Sequence, residues 1–331
     1  MRPVCAVSVD LDEVDLYRSL HGLEDSAGRQ ASRGSAGRVR GGGQANSEHP
    51  PGARSFVVYE RALPRLLAFA ETHSIPLSLF CVSNDLAAPV ARDGLRGALH
   101  RGHVVESHSA SHPYDLVRRS ELEVGREVAG SFDAIASALG HRPHGFRAPG
   151  YTTSDALFDE LERAGAAFDA SVLPSVPYAV AKTLALAALR LRGDRSAAVL
   201  SWPRQALAPC SPYRPGRNHL ARGERPLVEL PMTVSKIGGA PVIGTTLVLA
   251  GSRFAPSLVR SCGRPAFFSL ELHGLDFLGP RDAPDLARRE PGLWVSLERK
   301  LEALSAAVRE LRREGYAFTT LREVAATWPC T

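Results

Sequence analysis

Two histidines four positions apart are the first residues whose type and spacing suggest chemistry. They are His108 and His112, in the segment HVVESHSASHPYDL, residues 103–116. At this spacing the two imidazoles can face the same way across one turn. Pro113 disfavours a helical conformation at His112, so we expect a single turn that follows a strand. Two neutral imidazoles and one carboxylate form a catalytic divalent-metal site with positions open for water. Two exposed loop histidines would show the same spacing, so the pair alone leaves both interpretations open.

A carboxylate for such a site is available near the start of the chain, in SVDLDE. Asp10 and Asp12 follow a short apolar run at residues 4–9 that is typical of a strand buried on both faces. Along a strand, residues two apart point to the same face. One acid can therefore bind a metal while the other removes a proton. The alternative is that both acids only form a turn after the strand.

Strands and helices alternate over most of the chain, which predicts a parallel α/β architecture, with a barrel as one form of it. The predicted strands include residues 4–9, 75–82, 145–149, 167–172, 265–273 and 316–321, and the predicted helices include 59–73, 85–101, 121–140, 154–165 and 293–314. Reactive side chains of barrels collect at the C-terminal ends of strands. The residues at such predicted ends are Asp10, Asp12, His108, Arg147, Asp169 and His273.

The amino-acid composition disfavours several classes of protein. The hydrophobic fraction of 44% over 331 residues is enough for a sizeable core. The net charge is +5, but the basic residues form no long cluster with interleaved aromatics, which disfavours nucleic-acid binding and leaves an anionic substrate or a membrane surface. Five scattered cysteines disfavour a disulfide framework or a cysteine zinc site. The N-terminus is charged too early for a secretory signal, so we expect a cytoplasmic protein.

These motifs together resemble the polysaccharide deacetylase family, also called the NodB-homology or carbohydrate esterase family 4 fold. SVDLDE is similar to its first motif in a variant Asp-x-Asp form, and HSASHP and FRAPGY match the second and third. FDASVLPS and LELHGLD resemble the fourth and fifth, and all five occur in the family's order. The resemblance implies a distorted (β/α) barrel with mostly parallel strands, as a single catalytic domain over residues 1–331.

The resemblance also implies roles for the first three motifs. Asp10 would be the general base, and Asp12 would bind a divalent metal together with His108 and His112. Arg147 would orient the base carboxylate and keep it ionised, and its fixed charge favours a low pKa for that acid. A surface salt bridge is the alternative for Arg147.

The later motifs would supply the acid and the oxyanion contacts. By the resemblance, His273 would protonate the leaving amine, and Asp169 would orient His273 or only form a turn at its strand end. The backbone amide of Gly150 would contact the oxyanion, with Tyr151 and Leu272 as further substrate contacts.

The sequence departs from the family pattern at several positions. Ser107 stands where an asparagine usually precedes the first histidine, and Val104 where a glutamate is common. Glu271 stands where an apolar residue usually lines the acetyl pocket, and Asp276 is either a second-layer acid or a turn residue. The metal ligands and the base are unaffected, whereas the acyl pocket is left undefined.

The implied activity is removal of an N-acetyl group from an amino sugar, glycan or glycolipid precursor. Zinc is the first candidate for the metal, and cobalt, nickel, manganese and iron also accept this ligand set. One alternative is a same-fold amidohydrolase acting on a formamide, a cyclic imide or a small metabolite, which the lack of an export signal favours. Another is a carbohydrate-binding protein without turnover, which the full set of ionisable residues disfavours.

Two further segments are predicted to depart from the barrel. Residues 24–55 are polar and rich in Gly, Ser and Arg, typical of a mobile insertion, and residues 175–245 form an irregular excursion. Within the excursion, residues 178–192 are apolar along one side with cations at the ends. Such a helix can lie at the inner face of a membrane and admit a lipid-linked sugar, or simply pack over the barrel. The oligomeric state is left open.

Overall fold

One parallel sheet organises the protein. The computed structural model describes residues 2–21, 56–191 and 203–328. Within these ranges every ladder between strands is parallel, and the strand order is β6-β5-β4-β3-β2-β1-β7, with β8 also paired to β1. The strands are β1 Val4–Asp10, β2 Leu77–Cys81, β3 Val104–Ser107, β4 Gly145–Phe146, β5 Phe168–Asp169, β6 Val228–Glu229, β7 Phe267–His273 and β8 Ala317–Thr319.

The sheet curls so that its two edges approach each other. After β6 the chain crosses towards β7, where the Thr233 amide donates to the Ser269 carbonyl at 3.2 Å. In return the Ser269 amide donates to the Thr233 hydroxyl at 2.8 Å. These contacts partly close the gap between β6 and β7. The predicted distorted (β/α) barrel with mostly parallel strands is confirmed.

Helices cover the outside of this barrel. They are α1 Val14–Leu20, α2 Leu63–Thr72, α3 Pro89–His100, α4 Glu121–Leu139, α5 Asp155–Arg163, α6 Val176–Leu191, α7 Gly244–Ser261, α8 Leu297–Arg313 and α9 Leu321–Thr327. A π-helical turn, Val58–Ala62, precedes α2, and Pro64 lies in the first turn of α2. Helix α7 was not predicted, and its course bends at Gly251, where φ is 71°.

Helix α4 shows how local sequence sets the bounds of an element. Ser120 accepts from the backbone of Glu123, and the Glu123 side chain returns to Ser120, which is a capping box. The helix ends at Gly140 in the left-handed region, φ 67°, as the sequence predicted. Between the caps, Val128 and Phe132 are buried against the sheet side of the helix.

Two segments were predicted to depart from the barrel, and the structure describes only part of one of them. The predicted insertion at 24–55 lies outside the described residues. Of the predicted excursion at 175–245, residues 192–202 lie outside them too, and the described parts contain α6, β6 and the beginning of α7. The assignment of residues 1–331 to a single domain stays a prediction. Across the described ranges, no helix is both long and apolar enough to cross a membrane.

Candidate metal and acid–base site

The candidate site lies at the edge of the sheet where the carboxyl ends of β1, β3, β4 and β7 come together. Asp10 ends β1 and pairs in register with His273, the last residue of β7. His108 follows β3, and Arg147 follows β4, the strand that pairs with β3. Since parallel strands end at the same edge of a sheet, residues far apart in sequence become neighbours here. Asp12 lies two residues beyond the end of β1, on the same edge.

Asp12, His108 and His112 form a compact buried cluster. The Asp12 Oδ1 atom lies 3.1 Å from His108 Nε2 and 3.3 Å from His112 Nε2. One ligand atom from each residue falls within 4.8 Å of the others. All three residues are buried, which excludes the alternative of two exposed loop histidines.

The backbone and nearby groups hold both imidazoles in place. His108 Nδ1 lies 2.8 Å from the Arg147 carbonyl, and because a carbonyl only accepts, Nδ1 carries the proton and Nε2 offers its lone pair to a ligand. The predicted turn is confirmed, with left-handed backbone at Ser109 (φ 67°) and His112 (φ 59°). The His112 ring meets the ring of Tyr114 edge-on, with centroids 4.6 Å apart.

The donor atoms of this cluster fit a divalent metal. Within the described part of the chain, Asp12 Oδ1 and both ring nitrogens of His112 are buried and make no well-aligned hydrogen bond. Burying such atoms without partners is costly. Burial opposes ionisation of Asp12, but the nearby His112 and His108 outweigh it and hold the Asp12 pKa well below its usual value. An anionic oxygen between two imidazole nitrogens is a donor set that a cation would satisfy.

Asp10 is held by a buried arginine. Arg147 Nη1 donates to Asp10 Oδ1 at 2.6 Å, Nη2 donates to Ser8 Oγ at 2.8 Å and Nε donates to the Ala170 carbonyl at 2.9 Å. The guanidinium also lies over the Phe80 ring, 4.3 Å from its centroid. Because Arg147 is fully buried, the alternative of a surface salt bridge is wrong.

The expected low pKa of Asp10 is also wrong. Complete burial raises the Asp10 pKa, and this effect exceeds the lowering by Arg147 and by His108. Desolvation disfavours the charged form of any acid, even beside a fixed cation. The other carboxylate oxygen of Asp10, Oδ2, lies 3.9 Å from His108 Nε2, so Asp10 borders the Asp–His–His cluster without belonging to it.

His273 forms an ion pair with Glu271. Its Nδ1 lies 2.9 Å from Glu271 Oε1, and its Nε2 lies 3.1 Å from the Tyr151 hydroxyl. Its backbone amide donates to Asp276 Oδ2 at 2.9 Å, a contact that caps the turn Gly274–Phe277, and a role of Asp276 as a supporting acid stays a prediction. Burial lowers the pKa of His273, but Glu271 outweighs it, and the pKa is raised well above the usual value.

Asp169 does not occupy the position that the family resemblance implied. It accepts from the Ser171 amide at 3.0 Å and from the Ser171 hydroxyl at 2.8 Å, and its pKa is raised by burial. Ser171 Oγ in turn accepts from the Ala148 amide, so Asp169 supports the loop after β4. The structure instead places Glu271 against His273. Residues 271 and 273 share one face of β7, and that period of two was the signal in the sequence.

Leu272 is a second correction. It alternates with Glu271 and His273 along β7, so it points to the opposite face of the strand. There it is buried in the main hydrophobic core. Leu272 therefore packs the barrel and does not contact substrate.

Gly150 and Tyr151 form a left-handed turn beside the cluster, with φ of 61° and 58°. The Gly150 carbonyl accepts from Lys182 Nζ at 2.9 Å. Burial lowers the pKa of Lys182 to about 8. Lys182 was seen in the sequence only as a cation on a predicted helix, because its contact with residue 150 depends on where α6 packs.

A cavity of about 300 Å³ opens over these groups. Its lining includes Asp10, Asp12, His108, Gly150, Tyr151, Lys182 and His273. Four of the predicted site residues, together with the Gly150–Tyr151 turn, thus face one pocket, where a water and an amide can meet a base and an acid.

Comparison with known proteins tests the resemblance drawn from the motifs. The family model described as polysaccharide deacetylase matches residues 57–168. The resemblance to this family is confirmed. The matched residues include His108, His112 and Arg147, whereas both aspartates and His273 lie outside the match and join the site through the fold. No curated protein matches the chain.

Solved structures share the architecture. The chain is similar to Puue allantoinase, at 17% identity over 99% of this chain and 92% of that one, with a TM-score of 0.53. A family 4 carbohydrate esterase from Streptomyces lividans gives 11% identity, 99% and 97% coverage and a TM-score of 0.48. A CE4 family pseudoenzyme from Bacillus anthracis gives 10%, 98% and 66%, and 0.49. At 17% identity, likeness to the allantoinase establishes the fold alone.

Proposed function

We propose that the chain is a metal-dependent hydrolase that removes an N-acetyl group from an amino sugar, glycan or glycolipid precursor. One observation carries this proposal. Asp12, His108 and His112 form a buried cluster with unpartnered donor atoms, beside Asp10 and His273 in the same cavity. The family match over residues 57–168 supports a deacetylase over other hydrolases.

In this proposal Asp12 Oδ1, His108 Nε2 and a ring nitrogen of His112 hold the metal. Zinc is the first candidate, with cobalt, nickel, manganese and iron as alternatives. When bound, the metal supplies Lewis acidity, which lowers the pKa of a water and polarises the amide carbonyl. The hydrogen bond from His108 Nδ1 to the Arg147 carbonyl keeps that imidazole oriented, so that the neutral ring offers the lone pair of Nε2 to the metal.

The protein's own groups move the protons. Asp10 removes a proton from water as the oxygen attacks the amide carbon, and Arg147 keeps the carboxylate aligned. A carboxylate whose pKa is raised by burial is a stronger base than an exposed one. The Gly150 amide is the proposed donor to the resulting oxyanion. Protonated His273, held by Glu271, gives its Nε2 proton to the nitrogen, the C–N bond breaks, and acetate and a free amine leave.

A same-fold amidohydrolase acting on a formamide, a cyclic imide or a small metabolite is the second candidate. The observation that favours it is Glu271, which stands where the family usually has an apolar residue lining the acetyl pocket. In this chain that side chain is buried against His273. An acyl group smaller than acetyl is therefore also compatible with the site. A carbohydrate-binding protein without turnover remains the alternative to either activity.

Product analysis tests these candidates. Acetate and formate release should be measured from N-acetylated and N-formylated amino sugars, with and without a chelator. Acetate release that stops with the chelator and returns on addition of zinc supports the proposal. If His108→Ala, His112→Ala and Asp10→Asn all keep full activity, the proposed mechanism is wrong. Formate release alone would favour the second candidate, and binding without either product would favour the third.

The proposal includes a cytoplasmic location with peripheral contact at the inner face of the membrane. Support comes from α6, where Val176, Val180 and Leu184 are each at least half exposed. Such a face can insert at a lipid interface, and a lipid-linked substrate would then be within reach. Flotation with anionic liposomes tests this part. Protein that stays in the bottom fraction at low salt would exclude the membrane contact.

A further inference from the structure

A second and larger cavity adjoins the candidate active site. Its volume is about 820 Å³, within the range of sites that hold whole small-molecule ligands. Helix α6, the loop before it and the short 3-10 helix Pro203–Leu207 form its walls. The apolar side chains that line it include Leu173, Val176, Ala179, Val180, Leu184 and Leu207. This space is called the apolar chamber below.

The rim of the apolar chamber exposes more hydrophobic surface than a packing role requires. Val180 is 52% exposed, Leu184 65% and Leu207 79%, and all three line the chamber. Large contiguous apolar surfaces on soluble domains usually mark an interaction site. These apolar side chains suit an aliphatic ligand, while polar residues such as Thr153, Ser154 and Gln205 line other parts of the chamber.

The apolar chamber and the catalytic pocket share part of their lining. Tyr151, Tyr178 and Lys182 border both cavities. The rings of Tyr151 and Tyr178 lie 6.0 Å apart, and the Tyr151 hydroxyl is 3.1 Å from His273 Nε2. His273 is the group proposed to protonate the leaving nitrogen. The junction between the two cavities is thus on the amine side of the bond to be cleaved.

We propose that the apolar chamber binds an aliphatic chain carried by the amine portion of the substrate. The substrate class is an N-acylated amino sugar with a long apolar aglycone, and the chain stays with the free-amine product. This inference rests on the proposed function for its reaction, but the binding site itself is assigned by the cavity. The occupant is the substrate's own aliphatic chain, because Tyr151, Tyr178 and Lys182 border both cavities, so the chamber adjoins the place where the amide must lie.

A chain-length series tests the proposal. Methyl, butyl, hexyl and octyl glycosides of N-acetylglucosamine should be assayed below their micelle concentrations in buffer without vesicles. We expect kcat/KM to rise with length, by up to about fourfold per methylene when the group is fully buried. A matched series with a methyl aglycone and longer N-acyl groups should show no such rise. A flat aglycone series, or a steeper N-acyl series, would overturn the proposal.

Substitutions of residues that line the chamber test whether the dependence of kcat/KM on aglycone length arises there. Val180→Glu and Leu184→Glu should flatten the dependence on aglycone length. Phe254→Glu is the matched control, because Phe254 is also an exposed hydrophobic residue, 56% exposed, but lies on α7 and does not line the chamber. The Phe254→Glu variant should show the same increase of kcat/KM with aglycone length as the wild type. If Val180→Glu and Leu184→Glu keep the wild-type slope as well, or only convert a dimer into a monomer, the chamber does not bind the chain.

Calorimetry separates this proposal from the proposed function. The free-amine alkyl glycosides should bind with an affinity that rises with chain length, whether or not the protein turns over any amide. Rising affinity without hydrolysis would support the chamber and contradict the deacetylase. Hydrolysis of the methyl glycoside with no length dependence in either measurement would support the deacetylase and contradict the chamber.

Discussion

Two clusters of histidine and carboxylate lie side by side at the strand ends, and their buried charges are compensated in different ways. The first is Asp12 with His108 and His112, and the second is His273 with Glu271 and Asp10. Both combine histidine with carboxylates, and all their members are buried except His273, whose side chain is 19% exposed. They differ in what compensates the buried charge.

In the second cluster, the protein itself supplies the opposite charges. Arg147 faces Asp10 at 2.6 Å, and His273 faces Glu271 at 2.9 Å. Two anions are thus matched by two cations when His273 is protonated, and burial of the group costs less than burial of either anion alone.

In the first cluster, one anion faces two imidazoles. The described contacts orient His108 with its lone pair inward and leave the His112 nitrogens without a hydrogen bond. A divalent cation would provide the positive charge that this first cluster lacks. Residue type alone therefore does not distinguish a metal site from a proton-transfer pair, whereas the neighbouring charges do. We therefore expect the two clusters to respond differently to substitution.

The largest effect is expected from the first cluster. His112→Ala should abolish metal binding and lower kcat/KM on the order of 10⁴-fold or more, since both activation of water and polarisation of the carbonyl are lost. Metal content by mass spectrometry and acetate release are the measurements. Asp115→Asn, three residues further on the protein surface, should retain both. Full metal content in His112→Ala would break the distinction between the clusters.

Asp10→Asn should give the next largest effect. Removal of the general base should lower kcat roughly 10³-fold while the metal content stays at the wild-type level. Metal content by mass spectrometry and acetate release are again the measurements. In this variant the metal should stay bound while the rate falls. Loss of the metal along with activity would show that Asp10 belongs to the first cluster.

Glu271→Gln should give a smaller, pH-dependent effect. Glu271 raises the pKa of His273, so its neutral replacement lowers that pKa towards the ordinary value of 6.5. Protonated His273 is then lost at lower pH, and the alkaline limb of the kcat/KM profile should move to lower pH, with roughly tenfold lower activity on that limb. Glu302→Gln, an exposed acid on α8, should leave the profile unchanged. A shift of the limb to higher pH would contradict the assigned pair.

The smallest effect concerns the turn between the clusters. Gly150→Ala should destabilise the fold by roughly 1–2 kcal/mol, because an L-residue is strained at φ 61° and its Cβ would approach the Tyr114 ring to 3.3 Å. Chemical denaturation measures this change. Gly130→Ala is the matched control, since its Cβ would meet nothing within 4 Å in the middle of α4, and there we expect a gain of about 0.5–1 kcal/mol. Equal stability of the two variants would remove the role of the left-handed turn.

Local sequence determined a large part of this protein. The apolar run of β1 and the bounds of α4 depend on neighbours within a few residues, and the structure has them where the pattern predicts. The His108–His112 turn is equally local, because Pro113 and the spacing suffice to place both imidazoles on one side. The strand-end positions of Asp10 and His273 were also correct, since parallel strands end at one edge.

Only the tertiary structure decided which groups meet across that edge and how deeply they are buried. The period of two along β7 puts Glu271 on the same face as His273, but the sequence does not show that Asp169 stays away from His273, because that depends on strand register and on the curvature of the barrel. The pKa of Asp10 could not be foreseen from its arginine partner, because desolvation exceeds the attraction of that charge. The apolar chamber depends on where α6 packs. The sequence of a helix shows which of its sides is apolar, but it does not show which surface of the protein that side will face.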